Sequence, residues 1–300
     1  MKISVGLALL AVAVVDALPN DKRDAPKNNE ITDTVVLNYA LTLEHLENAF
    51  YHTALANYTQ QDFVAAGLPT WSRGRFKELA EHEQSHVDVL KSVLGANATQ
   101  PCTYKFPVTD VKSFVGLSQV LEGVGTSAYA GAASFLTSKD ALNAAAVILS
   151  TEARHAAWVA SAVNKQNPWS GAYDTPLSFN EVFSLAVPFI AACPDSNPAL
   201  PFTGFPALAL GAGHPEATVA VSTPASLAKD KQYYVAFFSG LTKQFIPVKD
   251  GKVTIPKGLD GTVYAVLTND ENTATDATTV AGPAILSFPF NSRGEYIHKN

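Results

Sequence analysis

Residues 78–90 read ELAEHEQSHVDVL and residues 150–158 read STEARHAAW, and each stretch carries Glu-x-x-His within an apolar pattern of helical period. Side chains three apart on a helix share a face, so Glu83 with His86, and Glu152 with His155, each present a carboxylate and an imidazole side by side. A chain of this composition holds about 0.3 such pairs by chance. Three occur, the third being Glu295-x-x-His298 in a polar tail without helical pattern.

Working outward, two further helical stretches lack the pair but each supply one glutamate in an otherwise apolar stripe, Glu44 and Glu122. Tyrosine follows each of them seven residues on, at Tyr51 and Tyr129, two turns along the same face. The order Glu-x6-Tyr, Glu-x-x-His, Glu-x6-Tyr, Glu-x-x-His is an internal duplication. It predicts a pseudo-two-fold site inside a four-helix bundle. Four buried carboxylates would be prohibitively costly without compensation, and two divalent cations supply it. Mixed carboxylate and imidazole donors suit iron or manganese, with zinc also admissible. The expected ligands are therefore Glu44, Glu83, His86, Glu122, Glu152 and His155. Glu47, one turn from Glu44, is a rival ligand, but its counterpart is Gly125, so the duplication favours Glu44. Tyr51 and Tyr129 are expected to hydrogen-bond ligand carboxylates, to take part in one-electron chemistry, or to pack as core. Together with Glu44 and Glu122 they are the candidate catalytic residues. His45, His52, Glu78, Glu81 and His82 are expected on exposed faces. Gly123 and Gly125 either leave substrate space beside Glu122 or allow close helix packing.

The four helices are expected over 32–58, 72–94, 111–136 and 139–164, with a fifth from Ser178, where Ser178 to Glu181 reads as a capping box, to about Ala192. The bundle then occupies 24–193. Residues 194–215 are rich in proline and glycine and read as a connector. Six short β-rich runs follow over 216–300, among them TVAVS, YYVAFFS and TVYAVLT, and predict a small immunoglobulin-like β-sandwich.

Lys2 precedes an apolar run and the small-residue pattern Val15-Asp16-Ala17, which reads as a signal peptide over 1–17. Residues 18–23 end in the dibasic pair Lys22-Arg23, a short propeptide cut before Asp24. The apolar run is too short for a membrane span, and a net charge of −6 argues against nucleic acid as a partner. A secreted, extracellular or wall-associated protein is expected. In that oxidising setting Cys102 and Cys193 are expected to bridge, and Asn57 and Asn97 to accept glycans.

At YALTLEHLENAFY (39–51), ELAEHEQSHVDVL, STEARHAAW and PFIAACPDSNPALPFTGFP (188–206) the sequence resembles the ferritin-like superfamily, in the secreted branch of plant desiccation-related and fungal stress-response or late-sexual-development proteins. The resemblance covers roughly residues 30–210. It implies a ferritin-like four-helix bundle and di-metal ligation by the same six residues, with a role in stress or development. Two function classes stand: a di-iron or di-manganese oxidoreductase acting on dioxygen or peroxide, and a non-catalytic wall or matrix protein whose β-domain does the binding. Iron storage, which needs a closed shell, sits poorly with an extra domain and glycans.

Overall fold

The computed structural model describes residues 31–228 and 230–297. The leader, the dibasic site and His298 lie outside the described residues. Helix α1 (Asp33–Asn57) contains no glycine or proline and starts where the Thr32 hydroxyl accepts from the Val35 amide. A six-residue helix α2 (Gln60–Ala65), capped reciprocally by Thr59 and Asp62, was not expected. Helix α3 (Ser72–Leu94) stops at Gly95, whose φ of +56° suits glycine. Helices α4 (Val111–Ala132) and α5 (Lys139–Trp158) begin at the side-chain caps Asp110 and Ser138. In the bundle α1 packs chiefly on α3 and α4 on α5.

Two helix ends differ from expectation. α5 gives way at Val159 to a π-helical turn, Val159–Val163, rather than continuing to residue 164. α6 (Phe179–Ala186) does have the expected capping box, but it ends six residues early. Pro188 lacks the amide a longer helix would need, and the chain passes through a 3-10 turn, Val187–Phe189, into a strand. That strand, β2 (Ile190–Ala192), pairs antiparallel with β1 (Thr103–Tyr104). The Cys102–Cys193 disulfide closes the end of this ladder, joining the segment after α3 to the segment after α6. Closing a loop of 91 residues is worth about 2–5 kcal/mol.

Residues beyond the connector form two antiparallel sheets. Strands β3 (Ala209–Leu210), β4 (Thr218–Ser222) and β7 (Lys252–Thr254) make one, in the order β3-β4-β7. The other, in the order β6-β5-β8-β9, contains β5 (Tyr234–Ser239), β6 (Thr242–Pro247), β8 (Gly261–Thr268) and β9 (Thr279–Phe288). Successive side chains of a strand point to opposite faces. Val235, Phe237, Val263, Ala265 and Leu267 pack with Val219, Val253 and Ile255. Their neighbours Ala236, Phe238, Tyr264 and Val266 join the core built by α1, α4 and α6. The four-stranded sheet is thus buried on both faces, which is why β5 and β8 read as continuous apolar runs. No helix among the described residues is long and apolar enough to cross a membrane.

Candidate metal centre

Each of the six expected ligands projects into the middle of the bundle. Glu44, Glu83, Glu122 and Glu152 are fully buried, and His86 and His155 are 9% and 4% exposed. Donor atoms of Glu44, Glu83, His86 and Glu152 lie within 4.8 Å of one another, as do those of Glu83, Glu122, Glu152 and His155. Glu83 and Glu152 belong to both groups. His86 Nδ1 is 3.2 Å from both Glu44 Oε2 and Glu83 Oε2 and 3.1 Å from Glu152 Oε1. His155 Nδ1 is 3.1 Å from Glu83 Oε1 and 3.2 Å from Glu122 Oε2.

The two tyrosines reach across the pseudo-two-fold. Tyr129 of α4 donates to Glu44 Oε1 of α1 at 2.5 Å, and Tyr51 of α1 donates to Glu122 Oε1 of α4. Tyr51 also meets the Ser118 hydroxyl at 2.7 Å. Each terminal glutamate therefore has one oxygen held by phenol and one facing an imidazole. Burial and the neighbouring carboxylate raise both phenols well above the ordinary tyrosine range, so they remain protonated donors.

Electrostatics are dominated by desolvated carboxylates. Burial raises Glu44 to about 7 despite His86, and burial also raises Glu152 well above the ordinary carboxylate range, Glu83 and Glu122 adding repulsion. Glu83 is held down, at about 2, because contacts from His155 and His86 outweigh its burial. The imidazoles move oppositely. Burial disfavours their charge, but close carboxylates push His86 up to about 12 and His155 up to about 10. Two imidazolium ions thus partly stand in for cations. They do not satisfy everything: Glu83 Oε1 and Glu152 Oε1 each meet only an imidazole Nδ1 at 3.1 Å, and Glu152 Oε2 is buried without a hydrogen bond or ion pair. These oxygens sit on the pair common to both groups, and the buried set of carboxylate and imidazole donors fits metal ions.

Several neighbours were misjudged or missed. His45 is buried rather than exposed, because the segment after α3 folds over it: the Thr99 amide donates to Asn38 at 2.8 Å, and His45 Nε2 lies 3.2 Å from the Thr99 carbonyl. His82 is exposed as expected, yet its Nδ1 is 2.9 Å from His155 Nε2, with the rings stacked. Its position one residue before Glu83 was the available signal. Glu47, 4% exposed, is raised well above the carboxylate range by burial and by Glu152, but belongs to neither ligand group. Gly125 makes room for it: a Cβ there would stand 3.0 Å from Glu47 Oε1 and 3.2 Å from Glu152 Oε2. Gly123 faces the sheet, its carbonyl accepting from Tyr264 at 3.0 Å. His52, Glu78, Glu81, Asn57 and Asn97 are exposed. Glu295 pairs with Arg293 and Asn291 near the surface, not with a metal site.

Residues 32–165 match the family of the ferritin-like domain. The chain is also similar to Protein rds1 of Schizosaccharomyces pombe, 30% identical over 176 residues, an alignment covering 58% of this chain and 43% of that protein. The chain thus matches less than half the length of that relative.

Proposed function

We propose, from the premise that residues 32–165 are a ferritin-like domain, that this chain is a secreted oxidoreductase that uses two iron or manganese ions to reduce dioxygen or peroxide. The observation that carries the reading is the buried carboxylate and imidazole donor set, in which Glu83 and Glu152 are common to both ligand groups and Glu152 Oε2 is left without a partner. Glu44 and His86 would complete one ion's ligands, and Glu122 and His155 the other's. Bound iron or manganese would supply one-electron steps. The chain's own contribution is orientation and charge. Phenols Tyr129 and Tyr51 fix one oxygen of Glu44 and of Glu122 and hold a proton there, available to follow changes in carboxylate charge. His82 orients the His155 ring through Nε2. Full burial of the four glutamates in a core that also holds Leu41, Leu90, Phe76 and Phe114 keeps bulk water away. Secretion rests on the reading of residues 1–23.

Elemental analysis of the purified chain is expected to find about two metal ions. Loaded anaerobically with ferrous ion, the chain is expected to consume dioxygen or peroxide faster than free ferrous ion does, and the rate to fall steeply in Glu122→Ala and Glu152→Ala. Bound but inert metal, or none, would instead favour the non-catalytic wall or matrix protein.

A further inference from the structure

A cavity of 130 Å³ lies where α1, α4 and α6 meet β9, walled by Leu46, Val124, Ala186, Phe189 and Ile285 among others. Every residue in its wall is apolar or glycine except one, Glu47. Glu47 is 4% exposed, and among the described residues no hydrogen bond or ion pair reaches its carboxyl. Leaving such a group unmatched inside apolar walls is costly, so the arrangement suits an occupant with one complementary polar group. Size sets the second limit. An apolar cavity of about 150 Å³ takes up benzene, and this one is slightly smaller.

We infer that the cavity is a binding site for a small apolar molecule bearing a single hydroxyl, of about the size of phenol, with that hydroxyl on the Glu47 carboxyl. A hydroxyl both donates and accepts, so it pairs with a carboxyl in either protonation state. The wall offers nothing to a second polar group. Because Glu47 Oε1 and Glu152 Oε2 crowd the same point on α4, where Gly125 lacks a side chain, the bound molecule lies beside a carboxylate common to both ligand groups. The site goes beyond the redox reading, since Glu47 belongs to neither ligand group.

Calorimetric titration of the full chain, metal-free and metal-loaded, with phenol and with toluene tests it, because the two probes differ only by hydroxyl for methyl. Phenol is expected to bind at least about tenfold more tightly than toluene. Glu47→Leu should reverse the preference; should that variant fail to fold, Glu47→Gln, which keeps a polar tip, should retain it. Ala186→Leu adds three carbons to the wall and should weaken phenol at least about tenfold, with metal content and circular dichroism unchanged. Equal affinity for the two probes, or undiminished phenol binding in Ala186→Leu, overturns the proposal. Phenol binding by a chain that takes up no metal rejects the redox reading and keeps this one; metal uptake without phenol binding does the reverse.

Discussion

Glu44, Tyr51, Glu83 and His86 in one half of the centre face Glu122, Tyr129, Glu152 and His155 in the other, so the halves agree at every ligand and at both phenols. They disagree at three neighbours. Ser118 supports Tyr51, whereas the matching position on α1 is Ala40, which offers Tyr129 no hydroxyl. Glu47 fills the space that Gly125 vacates. His82 backs His155, and its counterpart on α5 is Thr151. The repetition marks what the charge of the centre demands of both halves. The departures mark where one half has been given something its twin lacks, and all three can be probed without disturbing a ligand.

The largest effect should come from ignoring the division between halves. Glu83→Ala with His86→Ala removes a residue common to both groups, so nearly all bound metal should be lost and not only one equivalent. Mass spectrometry of the metal content decides this, and retention of one full equivalent would show the halves to be independent.

Next in size is the response to pH. His86 and His155 have folded pKa values of about 12 and about 10, both above the ordinary imidazole value, so in the metal-free chain their charge stabilises the fold fully below about pH 6.5. That contribution is lost as pH rises through 10 and then 12. Metal must expel both protons, together with those that Glu152 and part of the Glu44 population hold near neutrality, so uptake there should release at least two protons and affinity should climb steeply with pH. Calorimetry in buffers of differing ionisation enthalpy counts them; a release near zero would contradict the protonated resting state.

The phenols should then separate the halves. Tyr51→Phe strands both Glu122 Oε1 and Ser118, while Tyr129→Phe strands Glu44 alone. A loss of about 1–3 kcal/mol is expected for each, larger for Tyr51→Phe, as read by denaturant unfolding of the metal-free chain. The smallest effect is expected from His82→Ala. Losing the partner of one ligand imidazole should weaken one metal equivalent by about tenfold and leave the other alone, giving a biphasic titration where wild type gives one phase.

The bundle and its ligands were legible because helical period and charge cost act locally: Glu83 and His86 are three residues apart, and nothing beyond their own helix is needed to place them on one face. The crossing of Tyr51 to Glu122 and Tyr129 to Glu44 was not legible, since sequence order places each tyrosine beside its own glutamate and only the packing of α1 against α4 exchanges them. His45 failed for the same reason, its cover coming from Thr99, 54 residues away. Pro188 was a local signal against continuing α6, and the apolar character of Val187 to Ala192 masked it. In the β region the strands were readable, but the unbroken apolar runs of β5 and β8 also announced burial on two sides.

That double burial bears on how the chain folds. Phe238 and Val266 on one face of the sheet belong to the same core as Phe50 and Phe114 of the bundle, while Phe237 and Leu267 on the other face belong to the core between the sheets. Neither core is complete without β5 and β8, and burying a phenylalanine is worth about 1.5–3 kcal/mol. Helices and sheets should therefore melt as one cooperative unit. A bundle expressed without the residues after 215 would present an apolar flank to water, and is expected to aggregate rather than bind metal as a free-standing domain.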